Sequence, residues 1–331
     1  MAKLQLSIAV GDYDRTRPLF DGSVQIDGVD PTFMALEPEE IFFRAFRHAE
    51  FDVCELSLST FAMQTAAGEC PYIGAPVFPS RAFRHTSIYI RTDRGIHTPA
   101  DLKGKRIGVP EYQLTANVWA RMILQEEHGV SPSDIIWVRG AYEGQSGRSE
   151  KITLNLPANI RIDTAPANTT ISALLANGEI DALIGPRMPS CFERGHSQVG
   201  WLYPDPTRAA ADWFRKRRIF PIMHLVGIRG ALASRHAWLP AAICKAFEQA
   251  KAVAVKKLAD TSATKVTLPF VEEQLRAARD LMGRDFWPYG FHENRFVLET
   301  FLRHHHAQGL SSRLLAPEEL FCPSTLEWHV I

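Results

Sequence analysis

Between Pro79 and Arg94 the chain reads PSRAFRHTSIYIRTDR, which sets Arg81, Arg84, Arg91, Arg94 and His85 against one acid, Asp93. The whole chain is balanced, with 37 Lys+Arg and 37 Asp+Glu. A local excess of cations in a neutral chain fits either a solvated basic surface or a pocket for an anion. Guanidinium groups grip carboxylates through paired N–H donors, and an imidazole exchanges a proton near neutral pH. Together they could bind a carboxylate and move a proton. His224, inside the apolar run IMHLVGIR, is the second imidazole of interest. Each of these two His also fits a packed, hydrogen-bonded role. If one is a proton donor, His224 stands slightly ahead of His85.

Ligands in α/β sheets gather at loops beyond the carboxyl ends of strands. That rule selects DYDRTR, with Asp14, Arg15 and Arg17; LSLST, with Ser57, Ser59 and Thr60; and SRAFRH, with Arg81, Arg84 and His85. It also selects PEYQLTAN, with Glu111, Gln113, Thr115 and Asn117, and GPRMPS, with Arg187. Arg15 and Arg17 fit ligand contact and surface pairing equally. Ser59, Thr115 and Asn117 fit helix caps, a role compatible with presenting backbone N–H groups to an anion. Glu111 fits a base or a first-turn acid. Arg91 and Arg94, past the strand, are expected at the surface. Three consecutive His, His304–His306, point in different directions on a helix and predict a solvated helix end; no metal ligand is assigned. FWPYG, Phe286–Gly290, reads as a packed turn.

The elements that must position these residues alternate. LQLSIAV, FDVCELS, YIGAPVF, TSIYI, KRIGVP, DIIWVR, IDALIG and IMHLVGIR read as strands. PEEIFFRAFRHAE, TANVWARMILQEEH, TTISALLAN, LPAAICKAFEQAKAVAVKKL and two C-terminal segments read as helices. Thr115 is the expected cap of the second helix, with Gly129 as its stop; Thr169 or Thr170 caps the third, with Gly178 as its stop. The alternation predicts parallel sheets covered by helices. The polar segment Tyr142–Asn159 is expected as an exposed excursion.

A chain of 331 residues, 46% hydrophobic and 22% charged, suits two domains or one large one. A net charge of zero offers no broad field for nucleic acid or an anionic membrane. No run approaches a membrane span. The five cysteines are scattered without a C-x-x-C pair and read as reduced thiols. With an apolar N-terminal stretch too short for a signal peptide, they predict a cytoplasmic protein.

The phrase DLKGKRIGVP…TANVWARMIL…HGV…SDIIWV, followed by ALLANGEIDALIG, resembles type II periplasmic-binding-protein folds. That resemblance implies two α/β lobes, a ligand cleft between them and two hinge crossings. Lobe one would hold residues 1–92 and 222–331, and lobe two residues 93–221. DYDRTRPL, FDVCELSLSTF, VFPSRAFRHTSIYIR, IFPIMH, DFWPYG and PEELFCPST together resemble the 4,5-dihydroxyphthalate decarboxylase family across nearly the whole chain. The resemblance implies a carboxy-lyase of phthalate degradation that converts this aromatic dicarboxylate to protocatechuate and CO2 without an organic cofactor.

Direct loss of CO2 from an aryl ring leaves an unstable carbanion. A para hydroxyl avoids it by pushing electrons to the carbon that is protonated as CO2 departs. Such an enzyme needs Arg donors for the carboxylates, an acid at the ring carbon and a closed site. Two other readings stay open: a non-catalytic solute-binding protein for an anion, and another enzyme of this fold acting on a polar ring. The sequence also leaves a homo-oligomer open.

Overall fold

The structure is a computed structural model that describes residues 3–144 and 154–328. The segment Tyr142–Asn159 lies partly outside them. Eleven strands are present among the described residues: β1 (Leu4–Val10), β2 (Val29–Ala35), β3 (Val53–Ser57), β4 (Tyr72–Arg81), β5 (Ile88–Arg91), β6 (Arg106–Val109), β7 (Ile136–Arg139), β8 (Arg161–Thr164), β9 (Ala182–Ile184), β10 (Val199–Trp201) and β11 (Ile222–Arg229). They form a five-stranded sheet ordered β2-β1-β3-β11-β4 and a six-stranded sheet ordered β10-β5-β9-β6-β7-β8.

The chain forms two compact units. One holds Met1–Arg81, His224–Glu299 and Ala316–Ile331; the other holds Ala82–Met223 and Thr300–Leu315. The boundaries expected from the sequence were 92 and 222. The difference has a physical cause. β5 pairs with β9 and β10, so residues 82–92 build the second sheet. Residues 300–315 join the same unit because Arg121 Nε donates to Gln308 Oε1 at 2.7 Å and His304 Nε2 meets Glu126 Oε1 at 2.6 Å.

The sheets are mixed rather than parallel. β1 runs parallel to β2 and β3, and β6 runs parallel to β7 and β9. β11 is antiparallel to β3, and β5 is antiparallel to both its neighbours. A parallel direction follows from a helical crossover between successive strands. β11 enters its sheet only after a long run of chain that belongs to the other unit, so no crossover helix fixes its direction.

Apolar residues explain the placement. Ile8, Ala9, Val10, Val53, Leu56, Leu225 and Val226 are fully buried in the first unit, and Phe247 of the helix Leu239–Leu258 packs inward with them. In the second unit Ile107, Trp119, Trp137, Leu175 and Ile184 fill the core. The helix Thr115–His128 stops at Gly129, whose φ of 64° is left-handed and favours glycine. Its N-cap is Leu114, without a side-chain cap bond, so Thr115 is the first helical residue rather than the cap. Thr170 caps the helix Ile171–Asn177 and accepts from the Ala173 N–H. No helix among the described residues is long and apolar enough to cross a membrane.

Two surface expectations are corrected. Arg91 is buried: it pairs with Asp93 at 2.7 Å and donates to the Ala176 carbonyl at 2.6 Å, because the end of β5 lies against the helix Ile171–Asn177. Arg94 is exposed and donates to the Gly178 carbonyl. Of the three consecutive His, His304 and His305 are buried and only His306 is exposed. The helix Arg295–Ala307 turns its His304 side toward Glu126 and its His305 side onto Phe301, which removes both from water.

Candidate functional site

β3 carries an acid where its neighbours are apolar. Glu55 has no exposed surface. In the register of β3 and β11, His224 lies opposite Ser57 and Val226 opposite Glu55. Side chains two apart on a strand share a face, so Glu55 and His224 are diagonal neighbours on the same side of the sheet. His224 Nδ1 meets Glu55 Oε1 at 2.6 Å. The same oxygen accepts from the Tyr13 hydroxyl at 2.9 Å, and Oε2 accepts from the Gly11 N–H at 2.9 Å. Burial pushes the Glu55 carboxyl up, but the His224 ring, the Gly11 N–H and the Tyr13 hydroxyl outweigh it, leaving the group below the usual carboxylate range. Glu55 is therefore an anion held by three donors. His224 lies edge-on to Phe42, with centroids 4.8 Å apart, and its Nε2 has no hydrogen-bond partner among the described residues.

The loop after β1 supplies the adjoining cation. Thr16 Oγ1 donates to the Gly11 carbonyl at 2.7 Å and accepts from the Tyr13 N–H at 2.9 Å, which ties the loop shut. Arg15 contacts two rings, 4.3 Å from the Tyr13 centroid and 4.5 Å from that of Trp287. Each such contact contributes about 0.5–2 kcal/mol. Arg15 Nε donates to the Pro79 carbonyl at 2.5 Å and Nη1 to Asp14 at 3.0 Å. Its Nη2 has no hydrogen-bond partner among the described residues.

The turn that supplies Trp287 is fastened to β4. Trp287 Nε1 donates to the Phe78 carbonyl at 2.9 Å, and the Gly290 N–H donates to the Pro76 carbonyl at 2.8 Å. Arg81, also buried, donates to the Pro288 carbonyl at 2.8 Å and to Asn294 Oδ1. Burial pulls its pKa down to about 9. Arg81 thus holds the turn beneath Arg15. Arg17 points away and forms an exposed pair with Asp12 at 2.7 Å. Ser59 is buried in the first turn of the helix Leu58–Ala67, whose N-cap is Ser57.

In the second unit Gln113 donates to the Glu111 carboxylate, and Asn117 Nδ2 donates to the Glu111 carbonyl at 2.8 Å. Thr115 is buried beside them in chain order, at the helix start. Arg187 is exposed; its carbonyl accepts from the Tyr142 hydroxyl. His85 is buried against Tyr203 and Trp213, with centroids 5.0 and 5.7 Å away, and its Nδ1 has no partner among the described residues. Burial, with a smaller push from His128, lowers its pKa to about 4. This imidazole is neutral at physiological pH.

Arg84 has weak partners. Its contacts are Met223 Sδ at 3.1 Å and Ser87 Oγ at 3.5 Å, and no carboxylate pairs with it among the described residues. Burial lowers its pKa to about 10, so it keeps its charge. A half-buried cation without an acid is set up to meet an anion. Arg84→Met is expected to leave Tm unchanged or higher while weakening anion binding roughly tenfold to hundredfold. Calorimetric titration with phthalate, alongside a thermal melt, measures both. A loss of Tm with unchanged phthalate affinity would make Arg84 a purely structural residue.

Sequence reasoning thus named Arg15, Arg81 and His224, which the first unit brings together, but it missed Tyr13, Glu55 and Trp287. A signal for Glu55 existed. An acid inside the apolar run FDVCELS must be paired if the strand is buried. Trp287 sat in a segment read as a packed turn, which it is, but its ring also covers Arg15. Among the described residues no group of three or more His, Cys, Asp or Glu is arranged to hold a metal ion.

Comparison with known proteins adds relatives to this geometry. The NMT1/THI5 like family matches residues 83–146. The 4,5-dihydroxyphthalate decarboxylase of Comamonas testosteroni is 66% identical over 327 residues, covering 99% of this chain and 99% of that protein. That of Pseudomonas putida is 67% identical over 215 residues, covering 65% of this chain and 83% of that protein. Among solved structures, the alkanesulfonate-binding protein SsuA from Xanthomonas axonopodis pv. citri, bound to MOPS, superimposes with a TM-score of 0.55. The match covers 97% of this chain and 99% of that one at 16% identity. That likeness shows the fold, a type II periplasmic-binding-protein-like pair of α/β lobes.

Proposed function

We propose, because this chain belongs to the 4,5-dihydroxyphthalate decarboxylase family, that it removes one carboxylate from 4,5-dihydroxyphthalate as CO2 and leaves protocatechuate. The reaction is that of a carboxy-lyase in phthalate degradation. The five cysteines, all free, agree with a cytoplasmic setting. The observation in the structure that carries the chemistry is the Glu55–His224 pair. A buried carboxylate on Nδ1 fixes the ring and leaves Nε2 as the nitrogen that can hold a mobile proton.

The steps balance with these groups. Arg15, through its open Nη2, meets a substrate carboxylate with a charge-assisted hydrogen bond. The ionised hydroxyl para to the leaving group pushes its electrons into the ring. His224 Nε2–H gives its proton to the ring carbon that carries the carboxylate, and that para oxygen becomes a carbonyl. The carbon–carboxylate bond then breaks, CO2 leaves, and its electron pair restores the aromatic ring and the para oxygen's charge. Water returns a proton to His224. The net change is one proton taken up and one CO2 released. Glu55 stabilises the imidazolium before it gives up its proton and again once water restores it, and transfers no proton itself.

Purified protein mixed with 4,5-dihydroxyphthalate should release CO2 and protocatechuate in equal amounts, followed by gas capture and chromatography. Phthalate, which lacks the para hydroxyl, should bind without reacting. Tight binding of 4,5-dihydroxyphthalate with no product would favour a solute-binding protein. Absence of both binding and turnover would point to another ring substrate.

A further inference from the structure

One side chain touches both halves of this arrangement. The Tyr13 hydroxyl donates to Glu55 Oε1, the oxygen that also meets His224, and the Tyr13 ring contacts the Arg15 guanidinium. Arg15 is also in contact with the Trp287 ring, and Trp287 makes no hydrogen bond to the Glu55 carboxylate. The loop is shaped for this ring. A Cβ on Gly11 would lie 2.4 Å from Tyr13 Cζ, closer than any real contact, so glycine is required for the ring to lie there. Thr16 fixes the Tyr13 backbone from the other side. Burial and the Glu55 charge hold the phenol protonated, above its ordinary range, so it acts as a donor to the carboxylate.

We propose that Tyr13 is a positioning residue with two separable tasks: its hydroxyl sets how much charge Glu55 presents to His224, and its ring holds Arg15 for a substrate carboxylate. This rests on the decarboxylase reading, yet each task can be read without turnover. The charged and titratable groups that bear on the pair are His224 from β11, Arg15 and Glu37 acting on the Tyr13 phenol, and Tyr289, which senses both Arg15 and Glu55. Removing the hydroxyl takes one donor from Glu55. The carboxylate then presents more charge to the imidazole, and the imidazolium persists to higher pH. Removing the ring takes away one of the two aromatic contacts that hold Arg15 and weakens its hold on an anion.

The test uses Tyr13→Phe, Tyr13→Leu and Trp287→Leu. The readouts are the NMR titration of the His224 ring, identified by its absence in His224→Gln, and the affinity for phthalate. Tyr13→Phe should move the His224 titration to higher pH and leave phthalate affinity within about twofold. Tyr13→Leu should show the same titration shift and also weaken phthalate roughly threefold to thirtyfold. Trp287→Leu should weaken phthalate similarly and leave the titration in place. Equal behaviour of the two Tyr13 variants on both readouts would overturn the proposal, as would a Trp287→Leu shift matching that of Tyr13→Phe. Wild-type turnover of 4,5-dihydroxyphthalate judges the decarboxylase reading separately. Were it absent, the titration and affinity results would still decide the role of Tyr13.

Discussion

Replacing His224 by Gln is expected to lower kcat about 10²–10⁴-fold, the range for loss of a positioned proton donor. KM should change little, because Arg15 and its covering rings are untouched. Gln is the informative choice. Its amide N–H can still donate to Glu55 Oε1, so the buried carboxylate keeps a partner and the fold survives. The lost activity then reports chemistry rather than unfolding. His85→Phe serves as the control. With its pKa lowered to about 4, His85 is neutral at the working pH and rests among Tyr203 and Trp213. Its kcat should stay within about tenfold of wild type, below the loss expected for a proton donor. Initial rates at saturating substrate, with circular dichroism as a check on folding, measure both. Near-normal kcat in His224→Gln would remove this imidazole from the reaction.

Glu55→Gln is expected to cost nearly as much, up to about 10⁴-fold in kcat. The Gly11 N–H still needs an acceptor, so the amide oxygen takes the place of Oε2. The amide N–H2 then faces His224 Nδ1. Nδ1 must become an acceptor, the ring proton sits on Nε2 of a neutral imidazole, and the cationic form is opposed. Stability follows the same group. Glu55 has a folded pKa below its unfolded value of roughly 4.3. Its contribution is therefore complete above the unfolded value and is lost as pH falls through the folded one. Glu55→Gln should melt at lower temperature at neutral pH, yet lose less further stability than wild type on acidification below about pH 4. Paired melts across that range test the sign. An acid response identical to wild type would mean that Glu55 is not ionised in the folded protein.

How much was legible before the structure depends on how local the signal is. Gly129 as a helix stop and Thr170 as a cap are local chemistry, and both stand in the structure. The direction of β11 was not legible, because it is set by a chain return rather than by a neighbouring helix. The same limit hid the site. His224 could be named from its place in an apolar strand. Its partner Glu55 lies 169 residues away, and only the register of β3 with β11 puts them on one face. Arg15 was even between ligand and surface by sequence. Trp287, far along the chain, distinguishes it from Arg17, which is exposed and pairs with Asp12. In the opening basic stretch, Arg91 proved to be a buried strut, Arg81 a brace for the Trp287 turn, and Arg84 a cation held by Met223 and Ser87. Position in sequence set Arg91 and Arg94 apart from Arg81 and Arg84, but the roles themselves come from partners far along the chain, Ala176 for Arg91, Pro288 for Arg81 and Met223 for Arg84.

The origin of the product's new hydrogen decides whether His224 is the proton donor. 4,5-Dihydroxyphthalate should be incubated with the protein in D2O, and the product examined by mass spectrometry and proton NMR. The prediction is one CO2 per substrate and one deuterium at the vacated ring carbon, formed by the wild type and not by His224→Gln on the same timescale. Substrate that remains bound and intact in the wild type, or labelled product formed equally fast by His224→Gln, would contradict it.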